Sequence, residues 1–195
     1  MKALALIDLQ NDFIDGSLAV GSEKFYASWE NTKKLATNEK FDFVLATMDY
    51  HPQKHCSFKE NGGIWPDHCV ASTSGCALNK DVLAFLNSTS EKKIEKGEDY
   101  PYVLLKGKNL NEEEYGVNLL DASRYKTEEA KEAAAKIDEI HVVGLCTDYC
   151  VKNCAIETAK KNADVKIFVH TSCSVAINPD EKIDFSEFPN IQIVE

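Results

Sequence analysis

Cys150 stands where an apolar run, Ile140 to Leu145, passes through Cys146-Thr147-Asp148 into a helical pattern beginning near Tyr149. A buried strand running into a helix would put Cys150 in the first helical turn. Amides there lack intrahelical partners and carry the positive end of the helix dipole. A thiol so placed ionises more easily than a free thiol, whose pKa is about 8.5. The same amides can hold an oxyanion. Taken alone, the stretch fits a small buried hydrophobe better than a nucleophile. Other parts of the chain change that balance.

Asp49-x-His51, followed by His68 in Trp65-Pro66-Asp67-His68-Cys69-Val70, is a carboxylate with imidazoles. That donor set suits a divalent transition metal: Zn, Fe or Mn. Two residues apart at a strand end, Asp49 and His51 point to one side. Three protein ligands would leave open positions, as a catalytic metal requires. His55 is an optional fourth ligand, and solvated loop histidines are the plainer alternative. Three of the chain's five histidines share this loop beside a strand-end Asp, which favours the metal.

Asp8 can take the proton of Cys150 and return it to a leaving amine. A nearby ammonium would favour the thiolate and keep Asp8 ionised. Lys106, after the apolar Val103-Leu104-Leu105, sits at an expected strand end, although most lysines lie on surfaces. Phe13, Trp65 and Tyr115 fit core packing individually; around a flat heteroaromatic substrate they would form stacking walls. Cys56, Cys69, Cys76, Cys154 and Cys173 read as inert, His141 and His170 as strand or core residues, and Glu112-Glu113-Glu114 as a solvated face.

The elements needed to position these groups alternate. Residues 2–8 read as a buried parallel strand delivering Asp8 at its end. A helix is expected near 24–37 and a strand over 41–48 leading to Asp49. The segment 50–80, rich in Gly, Pro, His and aromatics, is a loop long enough to be functional. A short helix over 81–87, strand candidates at 93–95 and 102–105, and a helix over 126–136 precede the pivotal strand. A helix to about Lys161 and strands over 165–169 and 191–194 follow it. Strands alternating with helices argue for an α/β fold on a parallel sheet with right-handed crossovers, and catalytic groups gather at its carboxyl edge.

A length of 195 residues suits one domain over 1–195. A net charge of −10 disfavours a nucleic-acid partner, since nothing would offset phosphate repulsion. No apolar run approaches a membrane span, so no membrane partner is expected, and the first residues read as a strand rather than a signal. Seven cysteines, an odd number, point to a reduced, cytoplasmic protein.

Together the motifs resemble the nicotinamidases, also called pyrazinamidases, of the isochorismatase-like cysteine hydrolases. The resemblance rests on Ala5-Leu6-Ile7-Asp8-Leu9-Gln10-Asn11-Asp12-Phe13, Asp49-Tyr50-His51-Pro52, the Trp65–Val70 stretch, Leu105-Lys106-Gly107 and Val143 to Val151. The Asp–Lys–Cys set marks the superfamily, and the Asp-x-His with Trp-Pro-x-His-Cys-Val pair narrows it. The resemblance implies a Rossmann-like three-layer α/β/α sandwich with a mostly parallel central sheet. It implies hydrolysis of nicotinamide to nicotinate and ammonia in NAD salvage, with pyrazinamide as a further substrate. Cys150 would be nucleophile, Asp8 general base and acid, and Lys106 their charge partner. Asp49, His51 and His68 would hold one divalent metal that grips the pyridine nitrogen. A cis peptide would precede Cys146, and the Cys146 and Cys150 amides would form the oxyanion hole. Phe13, Trp65, Tyr115 and Tyr149 would contact the substrate, a small molecule. Either a monomer or a homo-oligomer fits.

The chain departs from that pattern at four places. Cys146 replaces the usual Ala and would be open to a disulfide with Cys150 under oxidation. Lys96-Gly97, in an unusual 89–105 segment, rivals Lys106-Gly107; Lys106 is preferred because Tyr115-Gly116 follows at the usual offset. Glu113-Glu114-Tyr115-Gly116 stands for Asp-Ser-Tyr-Ser, so the substrate lid is expected to differ. The segment after Asn178 is short and lacks a clear final helix. Two other readings stay open: a related hydrolase of another small amide or vinyl ether, and an inactive metal- and pyridine-binding protein.

Overall fold

The computed structural model describes residues 1–89 and 93–195. In chain order the elements are β1 (Lys2–Ile7), a one-turn helix α1 (Asn11–Ile14), α2 (Ser22–Asn38), β2 (Phe43–Asp49), α3 (Lys80–Ser88) and β3 (Val103–Lys106). Then follow α4 (Glu128–Ala134), β4 (Glu139–Leu145), α5 (Lys152–Lys161), β5 (Lys166–Val175) and β6 (Ile191–Val194). The six strands form one sheet in the order β3-β2-β1-β4-β5-β6, and every pairing is parallel. The expected sheet was mostly parallel; among the described residues it carries no antiparallel strand.

Alternation along the central strands builds the three layers. In β1, Leu4 and Leu6 face one core, while Ala3, Ala5 and Ile7 face the other. In β4, Val143 and Leu145 take the first side and Ile140 and Val142 the second. The first core is closed by Phe25 and Trp29 of α2 and Val82 and Leu86 of α3. The second is closed by Ala130 and Ala134 of α4 and Ala155 and Ala159 of α5. Both faces of the sheet are therefore covered, which is why its strands read as unbroken apolar runs. Small alanines in α4 and α5 let those helices lie close to the sheet.

The chain lays β2 and β3 to one side of β1, then returns to place β4, β5 and β6 on the other. The order reverses between β1 and β4, which opens a crevice beyond their carboxyl ends. Asp8 follows β1, Asp49 ends β2, Lys106 ends β3 and Cys146 follows β4. Gly144 permits the close approach of β4 to β1. A Cβ there would meet the Ile7 carbonyl oxygen at 2.3 Å, and its φ of +132° is costly for other residues.

Several expected boundaries move. The stretch 93–95 is not a strand; Ile94 is buried in a loop before β3. Of the unusual 89–105 segment, residues 90–92 lie outside those described. β5 extends to Val175, well past the expected 169, because a register shift opposite Val142 and Gly144 lets pairing resume at Ser174. Among the described residues, no helix follows Asn178 and no helix is long and apolar enough to cross a membrane.

His141 and His170 form a buried pair between β4 and β5. Their rings stack at 4.9 Å, and His141 Nδ1 lies 2.8 Å from His170 Nε2. His141 Nε2–H donates to Glu139 at 3.1 Å, so His170 Nε2–H is the donor within the pair. Burial first, then His141, pushes the His170 pKa from its ordinary 6.5 down to about 4; Glu39 raises it slightly and Lys2 lowers it. The unfolded chain thus takes up this proton at higher pH than the folded one. The stability is present above the unfolded value and is lost as pH falls toward the folded one. His170 alone should cost about 2 kcal/mol at about pH 5. Denaturant melts at about pH 7.5 and about pH 5 should show His170→Phe losing less stability than the parent chain by about that amount.

Candidate active site and metal centre

The crevice is built around one buried cation. Lys106, with no exposed surface, points its ammonium between the carboxylates of Asp8 and Asp49 and the sulfur of Cys150. Nζ lies 2.9 Å from Asp8 Oδ2 and 3.5 Å from Cys150 Sγ, and it donates to Asp49 Oδ1 in a short contact. Single oxygens of Asp8 and Asp49 and the Cys150 sulfur lie within 4.8 Å of one another. Lys96 is exposed, with Gly97 tucked behind it, and takes no part.

Asp8 is held from several sides. Thr47 Oγ1 donates to its Oδ1 at 2.6 Å, and the Asp8 amide reaches the Thr47 hydroxyl and carbonyl at 3.2 and 3.3 Å. The residue adopts φ +48°, a conformation a non-glycine residue keeps only where its surroundings hold it. Burial raises the Asp8 carboxyl pKa, with Lys106 opposing. Burial also acts to raise Asp49, but Lys106 and His51 outweigh it and hold that carboxyl well below its usual range. Lys106 loses by burial and gains more from Asp49 and Asp8, so it stays charged.

Cys150 corrects one expectation. It lies in a wide π-helical turn, Thr147–Val151, ahead of α5 rather than in the first turn of an α-helix. The sulfur is buried, and burial pushes the thiol well above its usual range despite Lys106. Burial thus works against the easy ionisation that its place in the sequence suggested. Its proton needs a dedicated acceptor, and Asp8 is the carboxylate beside it. The Leu145–Cys146 peptide is cis. Tyr149 and Val151 amides both donate to the Cys146 carbonyl at 3.1 Å, leaving the Cys150 amide between them outside that pair.

The other end of the crevice is imidazole. His51 Nδ1–H donates to the Gly107 carbonyl at 2.9 Å, and His68 Nδ1–H donates to the Pro66 carbonyl at 2.8 Å. Each bond fixes the tautomer that leaves Nε2 as a lone pair. Those Nε2 atoms lie 3.6 and 4.0 Å from Asp49 Oδ2. His51 Nε2 is buried with no hydrogen-bond partner among the described residues. An orphaned lone pair beside a carboxylate and a second aligned imidazole fits a divalent metal. His55 does not join it. Its Nδ1 accepts from Ser57, whose Oγ is 2.7 Å away, and its Nε2–H donates to the Glu112 carbonyl at 3.0 Å. Its ring stacks on His51 at 4.1 Å and backs it.

Between the two ends lies a narrow cleft lined by Phe13, Trp65, Tyr115, Tyr149, Cys146, Cys150, Asp49 and His68. All four aromatics expected at a substrate face it. Trp65 Nε1–H donates to the Tyr115 hydroxyl at 3.0 Å, and Tyr149 packs against both rings. Sequence reasoning missed Leu18, Ile177 and Glu113 on the same wall. It also missed two clamps. Gln10 pairs its amide with both the N–H and the C=O of Asp49 at 2.8 Å. Asp12 accepts from the amide of Cys69 at 2.7 Å, next to His68. Thr47, a lone hydroxyl in an apolar strand, was a legible signal.

No protein-family model matches the chain. It is 29% identical to the nicotinamidase of Escherichia coli over 92% of this chain and 86% of that one. It is also 29% identical to the nicotinamidase/pyrazinamidase of Mycobacterium tuberculosis over 90% and 88% of the two chains. The crystal structure of a Pyrococcus horikoshii pyrazinamidase in complex with zinc superposes with a TM-score of 0.70 at 25% identity, covering 100% of this chain and 98% of that one.

Gly107 backs the imidazole end of the crevice. It adopts φ +63°, and a Cβ there would meet His51 Cε1 at 2.4 Å. Gly107→Ala should displace His51 and weaken divalent-metal affinity by about 10–100-fold, the cost of losing a partner that orients a ligand. Chelator-competition titration of purified protein measures this. The chain has the fold of the nicotinamidases and pyrazinamidases and is similar to them in sequence over about nine-tenths of its length.

Proposed function

We propose that this protein is a nicotinamidase, a metal-dependent cysteine amidohydrolase that converts nicotinamide and water to nicotinate and ammonia. It would serve NAD salvage and accept pyrazinamide. The observation that carries the reading is the buried Lys106 ammonium shared by Asp8, Asp49 and Cys150, with two aligned imidazoles across the same cleft. The first group is a nucleophile with its proton acceptor. The second fits a ring nitrogen's anchor. The likeness to the nicotinamidases supports the same substrate.

Asp49, His51 and His68 would hold one Zn, Fe or Mn ion, which as a template and Lewis acid would grip the pyridine nitrogen. The protein's own groups do the rest. Phe13, Trp65, Tyr115 and Tyr149 enclose the flat ring and shed water from it. Asp8 takes the Cys150 proton as sulfur attacks the carboxamide carbon. The amides of Cys146 and Cys150 hold the oxyanion. Asp8 passes the proton to the amide nitrogen, the C–N bond breaks, ammonia leaves and a thioester remains. Asp8 then takes a proton from water, whose oxygen attacks the thioester carbon. The C–S bond breaks, the Asp8 proton returns to sulfur, and the acid leaves as nicotinate, its own proton passing to solvent, where ammonia takes one up. Throughout, Lys106 keeps the carboxylates from repelling the developing negative charge.

Purified protein should release ammonia from nicotinamide, and Cys150→Ala should release none. Asp8→Asn should lower kcat by about 10²–10⁴-fold. Exhaustive chelation should abolish turnover, and added divalent ions should restore it. Metal-replete protein that leaves nicotinamide intact would sink this assignment.

A further inference from the structure

The three consecutive glutamates at 112–114 do not form the solvated face that their charge run suggests. Their side chains part. Glu112 is exposed and accepts from Asn109 Nδ2 at 3.1 Å. Glu114 is drawn outward, with Oε2 accepting from the Gly107 amide at 3.0 Å and Oε1 held by Arg124. Glu113 and Tyr115, the residues on either side of Glu114, both line the cleft. The Glu114–Arg124 pair holds Glu114 apart from the cleft, and Glu113 Oε1 accepts from the Glu114 amide at 3.1 Å.

Glu113 is half-buried and lines the cleft beside Phe13, Leu18, Trp65, Tyr115, Tyr149 and Ile177. Among the described residues no ion pair engages it, whereas Asp8 and Asp49 share Lys106 and Glu114 has Arg124. A carboxylate in a narrow, partly dry cleft is screened less than one on the surface. Amide hydrolysis turns a neutral ligand into an anion in that same space. We infer that Glu113 is a charge filter, which leaves the binding of the neutral amide nearly untouched and disfavours the carboxylate product, so that it limits product inhibition.

The inference rests on the amidase reading above. Its test is the ratio of the nicotinate inhibition constant to the nicotinamide KM in parent, Glu113→Gln and Glu113→Asp proteins. Removing the charge should lower this ratio by about three- to ten-fold, the size of one partly screened charge in the same cleft. Glu113→Asp, which keeps the charge, should hold the parent ratio. Added salt should lower the ratio in the parent protein and leave it unchanged in Glu113→Gln. A parent that turns over nicotinamide with a ratio indifferent to Glu113→Gln overturns this inference alone. A parent without turnover on nicotinamide removes the amidase reading and this inference with it.

Discussion

An ammonium group without water must have anions around it, and Lys106 is the point where that requirement organises the molecule. It is fully buried, and removing such a charge from solvent costs several kcal/mol unless it is compensated. Asp8 and Asp49 compensate it, but they come from the ends of two other strands. The order β3-β2-β1 in one parallel sheet is therefore more than a scaffold. It brings three charges, distant in sequence, to one carboxyl edge. The nucleophile reaches the same point from across the switch between β1 and β4.

The bookkeeping of charge links the two halves of the crevice. Two carboxylates against one ammonium leave an excess of one negative charge in a place with little water. Asp49 faces Lys106 with one oxygen and the imidazoles with the other. A divalent cation among Asp49, His51 and His68 would balance that excess. Gly107 couples the two ends mechanically. It follows Lys106 directly, its carbonyl sets the His51 tautomer, and its amide donates to Glu114. A change at this one residue would be felt both by the ammonium and by the ligand set.

Burial also explains why the thiol behaves differently from its sequence setting. The position after an apolar strand promised an easily ionised sulfur. In the folded chain the dry surroundings push the Cys150 thiol up, against the nearby ammonium. The same dryness raises Asp8. A carboxylate with a raised pKa beside a buried thiol is a better matched acceptor than one held far below neutrality. The environment that suppresses the anion at rest prepares the group that will create it.

Much of this was legible in the order of residues alone. Unbroken apolar runs ending in Asp8, Asp49, Lys106 and Cys146 announced parallel strands with chemistry at one edge, because strand period and burial are local properties. The Asp49, His51 and His68 set was legible for the same reason: donor type and short spacing are written in the chain. What the fold alone decided depends on neighbours far away in sequence. His55 carries the residue type of a ligand, but Ser57 and Glu112 take its nitrogens. Glu113 looks like one charge in an acidic run until Arg124 turns its neighbour outward. The burial of Cys150 and the length of β5 belong to the same class. Solvation and pairing are properties of the assembled surroundings, and no local pattern encodes them.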